Sequence, residues 1–305
     1  MRLAADLPGL RRMDLTVNYR CPPAVVARAV RLVACNGERF AKTITAAPKS
    51  QGRLILAPDA SDEGARIRRV IESWPDDGGS RAILARTNAE LLPAAAVAVE
   101  MGLPFRAARL RLLTEDLRVD AIVNAARESG DSPVLPRLIE LARRGLVLPD
   151  PAPCRAAGAT DPDRRDMDEQ LPIETDDLLA AVVGWAAPYQ SLAGLAAAVV
   201  AHRARIAELR REDAGLTLAT AHATKGLEFD HVAVIGLEAG RFPSARSLRD
   251  STEPERALEE ERRLAYVAWT RARRSLTLVY DPATPSPFLL EAFTPQELGL
   301  GADAE

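Results

Sequence analysis

From Arg53 to Met101 the sequence alternates short apolar runs of strand character with amphipathic helical runs, and that rhythm restricts a chain to parallel strands covered by helices. Arg53–Pro58 alternates as a strand, and Glu63–Trp74 places Ile67, Val70, Ile71 and Trp74 on one helical face. Arg81–Arg86 is an apolar strand and Ala89–Met101 a helix closed by Gly102, with a turn cluster at Pro75-Asp76-Asp77-Gly78-Gly79 between the two strand–helix pairs. Upstream, Arg20 to about Asn36 reads as a helix with Pro22 and Pro23 in its first turn. Downstream, strand character returns at Leu216–His222, His231–Gly236 and Ser275–Tyr280, with a helical stretch, Glu255–Arg273, before the last of them.

Between these parts the texture changes. Leu117–Glu128 and Val134–Gly145 read as helices with no strand between them, and Asp176–Arg210 is Ala- and Leu-rich helix interrupted near Pro188. Pro149–Pro172, rich in Pro, Asp, Arg and Ala, reads as an exposed linker. The expected organisation is therefore an α/β domain (1–113 and 213–285) split by a helical insertion (114–212), followed by a tail (286–305).

Composition narrows the function classes. The 305 residues are 47% apolar and 27% charged, with three widely spaced cysteines and three histidines, so neither a disulfide framework nor a zinc site is expected. No apolar run is long enough to span a bilayer and no signal segment opens the chain, which predicts a cytoplasmic protein without a membrane partner. A net charge of −3 excludes coating of nucleic acid by bulk electrostatics but leaves room for a local basic groove.

Three clusters carry polar residues in patterned company. The first is Asn18-Tyr19-Arg20. The second is Thr220-Ala221-His222-Ala223-Thr224-Lys225-Gly226-Leu227-Glu228-Phe229, leaving a strand through a glycine turn. The third runs from Glu259 through Thr270-Arg271-Ala272. Each has a plain structural reading: a helix N-cap, a strand-to-loop turn, and a solvated amphipathic helix whose acids and arginines suit the helix dipole. Arg271 resists the last reading. Four residues after Val267 and seven after Leu264, it would lie on the apolar stripe of that helix, where a guanidinium needs an anion.

In this order, and with Ile83-Leu84-Ala85-Arg86-Thr87-Asn88-Ala89-Glu90-Leu91 between the first and second, the clusters resemble motifs IV, IVa, V and VI of UvrD/Rep-like superfamily 1 DNA helicases. Gly240-Arg241-Phe242-Pro243-Ser244 also resembles the family. The resemblance implies a second RecA-like motor domain, interrupted by a helical insertion, from an ATP-dependent 3′–5′ helicase. It implies that Tyr19 stacks on adenine and that Arg20 and Arg271 reach the γ-phosphate. Gly226 and Glu228 would belong to the nucleotide side, Glu228 accepting a hydrogen bond from the ribose. Thr87, Asn88, Thr220 and His222 would face single-stranded or junction DNA.

The sequence departs from the family pattern in Trp269, where a smaller residue is usual, in a longer stretch at Asp250–Arg256, and in a shorter insertion. It also holds no GxxxxGK[ST] loop and no acidic strand end for Mg²⁺. The expected ATP and Mg²⁺ would thus be shared with a first RecA-like domain, in cis or in trans, and the chain alone would be inactive. A non-enzymatic module that binds DNA or a partner remains the rival reading.

Overall fold

A computed structural model of the chain describes residues 13–39, 43–108, 110–128, 130–131, 133–144 and 175–300, so the expected linker at 149–172 lies outside the described residues. In chain order the elements are β1 (Val17–Asn18), α1 (Pro23–Ala34), β2 (Thr45–Ala46), β3 (Arg53–Pro58), α2 (Glu63–Ser73), β4 (Arg81–Ala85) and α3 (Leu92–Glu100). There follow β5 (Phe105–Arg106), α4 (Arg118–Glu128), α5 (Val134–Arg144), α6 (Thr175–Ala186), α7 (Leu192–Leu209) and β6 (Leu216–Thr220). The chain continues through β7 (Phe229–Val234), α8 (Ala245–Asp250), α9 (Pro254–Trp269), β8 (Ala272–Tyr280) and α10 (Pro287–Ala292). The protein is α/β with parallel strands. It divides into two compact units, 1–60 with 224–305, and 61–223.

In the first unit β8 lies between β3 and β7, all parallel, with Arg53 beside Ser275 and Pro58 beside Tyr280. Helix α1 buries Val25, Val26 and Ala29 of the apolar stripe expected from the sequence, with Leu32 buried and the expected Val30 and Val33 only half-buried, and it packs against α9 and α10. Burying such aliphatic side chains contributes about 1.5–3 kcal/mol each. Arg262 on α9 ties α9 to α10 with a two-pronged bond to Glu291, at 2.7 and 2.8 Å, and also reaches Asn36. Within 286–300, Phe288, Leu289, Ala292 and Phe293 are buried, and Arg28 lies 4.8 Å over the Phe293 ring.

Helix α9 stops at Trp269, four residues short of its sequence expectation. The Thr270 hydroxyl donates back to the carbonyls of Tyr266 and Val267, and β8 begins at Ala272. A local side-chain bond of this kind satisfies carbonyls that a further turn would have used. Arg271 therefore sits in the turn between helix and strand, not on a helical stripe.

In the second unit β6 lies between β4 and β5, again parallel, with Ala85 beside Thr220 and Phe105 beside Leu216. Asp62 caps α2 by accepting from Ala65 N, and Ile67, Val70, Ile71 and Trp74 are all buried as their spacing predicts. Gly102 follows α3 at φ +67°, where a side chain would be strained. Helices α4 to α7 enclose a core of their own, including Ile122, Leu138, Leu178, Val182 and Val199. At the start of α4, Arg118 forms a buried pair with Asp116 at 2.8 Å. The strand expected at Leu216–His222 ends at Thr220 and gives way to a tight helical turn, His222–Thr224.

Candidate functional site

The first unit assembles Tyr19, Arg20, Gly226, Glu228 and Arg271 from three distant stretches of chain. Asn18 Oδ1 accepts from both Arg20 N and Cys21 N at 2.9 Å, an Asx turn that fixes the entry to α1. That turn leaves Tyr19 81% exposed, so an aromatic face is available for stacking. It also directs Arg20 across to Glu228, with Nε 2.6 Å from Oε2, and Arg20 Nη1 touches the Thr270 carbonyl at 3.4 Å.

Glu228 is reached through a turn. Leu227 N donates to Thr224 O at 2.9 Å, and Gly226 in the third place has φ +90°. Such a turn requires a positive φ there, which explains the glycine on backbone grounds alone. The hydrogen bond from Arg20, aided by the charge of Arg273, lowers the Glu228 pKa from the usual glutamate value. An open cleft of about 540 Å³ runs beside this pair, lined by Leu15, Val17, Tyr19, Arg20, Glu228 and Arg273.

Arg271 closes the cluster. Its Nε donates to Val267 O at 2.9 Å and its Nη1 to Leu227 O at 3.0 Å and Thr224 O at 3.4 Å. All three acceptors are main-chain carbonyls, and no carboxylate among the described residues pairs with it. Burial, then the nearby charge of Arg20, lowers its pKa. Glu228 acts on it only through its charge, without a hydrogen bond; a half-buried cation with no directly bonded anion is costly, and a bound anion would relieve that cost. Behind it Cys21 is buried against the Thr270 carbonyl, and that burial raises its thiol pKa.

In the second unit the structure brings Thr87, Asn88, Thr220 and His222 to one edge. Strands β4 and β6 are neighbours, Ala221 N donates to Ala85 O at 2.8 Å, and all four residues follow or end those strands at their carboxyl ends. In open α/β sheets that edge is where ligands bind. Glu90 Oε2 accepts from Arg86 N and Thr87 N at 3.0 Å, so the loop carrying Thr87 and Asn88 is held rigidly. Among the described residues no group of three or more His, Cys, Asp and Glu could hold a metal ion, and no described helix is long and apolar enough to cross a membrane.

Residues 191–282 match the family model of the UvrD-like helicase C-terminal domain. That stretch is similar to the UvrD-like domain. The chain is 26% identical over 359 residues to DNA helicase II of Escherichia coli (strain K12), covering 92% of this chain and 48% of that relative. It is 56% identical over 63 residues to the ATP-dependent DNA helicase PcrA of Bacillus subtilis (strain 168), covering 21% of this chain and 8% of that one. The chain thus spans about half the length of the first relative. A solved C-terminal domain of a possible DNA helicase from a Lactobacillus, 12% identical, overlaps 91% of this chain and 95% of its own with a TM-score of 0.38.

Thr220, His222, Gly226, Glu228 and Arg271 fall inside the stretch matched to the UvrD-like domain, whereas Tyr19, Arg20, Thr87 and Asn88 lie before it. One residue that sequence reasoning passed over, Arg273, lines the cleft and donates to Glu228 Oε1 at 3.2 Å. Its signal was faint, since the sequence places Arg273 as the last residue of a helical stretch, ahead of the strand from Ser275.

Proposed function

We propose that the chain is the C-terminal motor half of an ATP-dependent 3′–5′ DNA helicase or translocase of the repair or recombination type. The observation that carries this reading is Arg271, half-buried, bonded only to carbonyls, and near enough to Arg20 for their charges to interact, with Arg20 lining a cleft beside the exposed Tyr19. Two arginines beside a stacking platform and a charged acceptor suit the adenine, ribose and terminal phosphates of a nucleotide. When bound with Mg²⁺, ATP supplies the phosphoryl group that passes to water.

The residues then divide the work. Tyr19 stacks on the base, in ground and transition states alike, and so contributes affinity. Glu228 accepts from the ribose. Arg20 and Arg271 oppose the negative charge that develops during transfer, which is how such arginines accelerate phosphoryl transfer. Because the 305 residues contain no GxxxxGK[ST], the phosphate cradle and the Mg²⁺ carboxylates are assigned to a first RecA-like domain in cis or in trans. Residues 1–113 and 213–285 form the second RecA-like domain and 114–212 its helical insertion. Thr87, Asn88, Thr220 and His222 contact the backbone of single-stranded or junction DNA.

Reconstitution tests this. The chain, alone and combined with a first RecA-like domain from a relative, is assayed for ATP hydrolysis with single-stranded DNA. The reading expects background alone and about 1 per second or more together. Turnover by the repurified chain alone, or none in a stable complex, would contradict it.

A further inference from the structure

Strand β8 departs from regular pairing where it meets the cleft. Phe229 pairs with Ala272 but His231 pairs with Ser275, so two steps along β7 are matched by three along β8. In a regular strand Arg273 and Arg274 would point to opposite faces. With the extra residue both are exposed, between buried Ala272 and buried Ser275. Bulges are common beside functional sites, where they re-aim a side chain.

The side chain re-aimed here is Arg273. Its Nη1 donates to Glu228 Oε1 and its Nη2 to Asp230 Oδ2, each at 3.2 Å, while Arg274 Nε lies 3.4 Å from the other Asp230 oxygen. Glu228 thus has one cation on each oxygen, Arg20 on Oε2 and Arg273 on Oε1. The two differ in freedom. Arg20 has only a long bond to the Thr270 carbonyl besides Glu228, whereas Arg273 is held by a second carboxylate at the strand pair.

We propose, resting on the functional reading above, that Arg273 is a positioning residue for the nucleotide site. It holds the Glu228 carboxylate in place and charged while Arg20 turns from it to the phosphates of a bound nucleotide. Without Arg273, that turn would leave Glu228 with no cation hydrogen-bonded to its carboxylate.

Carbon NMR titration of the full chain, with glutamate carboxyl carbons labelled, tests the proposal without any nucleotide. Arg20→Ala alone should leave Glu228 titrating below the ordinary glutamate range. Adding Arg273→Met should bring it back to that range. If Arg20→Ala alone restores the ordinary range, Arg273 holds nothing and the proposal falls. In the reconstituted motor, Arg273→Met should raise KM for ATP about tenfold, the weight of one weakened hydrogen bond to a charged group. The same variant should leave kcat within about twofold, since ground and transition states lose alike, and Arg273→Lys should recover most of the KM. An unchanged KM in Arg273→Met would also overturn the proposal. A wild-type complex that fails to turn over contradicts the functional reading, and the titration still decides the role of Arg273.

Discussion

Arg271 Nη1 donates to the carbonyl of Leu227 at 3.0 Å, joining the turn that ends α9 to the glycine turn that presents Glu228. The second and third sequence clusters thus meet through a side chain and a main-chain oxygen. Phe229 N donates in return to Arg271 O at 2.9 Å, so the contact is fixed at both ends.

Tyr19→Ala should weaken nucleotide binding by roughly tenfold or more, since base–aromatic stacking is worth about 1–3 kcal/mol. Tyr19 is 81% exposed, so the melting temperature should hardly move. Equilibrium binding to the reconstituted motor and thermal unfolding of the chain check both halves. Unchanged affinity would remove Tyr19 from the site.

Trp269→Ala should cost about 3–5 kcal/mol of stability, because Trp269 is fully buried and packs 6.3 Å from the Phe293 ring. Denaturant unfolding monitored by circular dichroism measures it. A loss below about 1 kcal/mol would mean that the site collapses around the truncated side chain.

Acid should loosen the chain through Asp116 and Glu228. For Asp116, burial opposes ionisation, but the Arg118 hydrogen bonds and charge outweigh it and the pKa is lowered. For Glu228 the hydrogen bond from Arg20 leads the lowering. A carboxyl whose folded pKa is depressed contributes stability that is present above its unfolded value and lost as pH falls through the folded one. Stability should therefore decline on the acid side of the ordinary carboxylate range. In Asp116→Asn that decline should be shallower, from a starting point about 3–5 kcal/mol lower, because Arg118 is left buried without its partner.

Binding of single-stranded DNA by the chain should be weak and fall with salt, with a slope of roughly −0.7 per phosphate neutralised. The net charge of −3 and the mostly uncharged set Thr87, Asn88, Thr220 and His222 both call for few contacts. Fluorescence anisotropy across a salt series checks this, and binding indifferent to salt would argue against a backbone-directed edge.

Much of the scaffold was legible because its signals are local. The strand at Arg53–Pro58 and the buried face Ile67–Val70–Ile71–Trp74 follow directly from their periods. The two-residue strands β1 and β2 carry no period and could not be read. Arg271 was singled out for a helical stripe that does not exist: its burial comes from the turn after Thr270 and from carbonyls 44 and 47 residues upstream. Arg273 escaped notice because its direction is set by a bulge in the pairing of β8 with β7, a long-range register that no local pattern records.

The central claim is that Arg271 acts on the reacting phosphate. It is tested most directly by kcat of the reconstituted motor carrying Arg271→Ala, with nucleotide Kd measured alongside. The account predicts a loss of about 10³ to 10⁵-fold in kcat, with Kd changed by less than about tenfold. Retention of more than about a tenth of the rate, a barrier change under about 1.4 kcal/mol, would contradict it and leave Arg271 as a cap on α9.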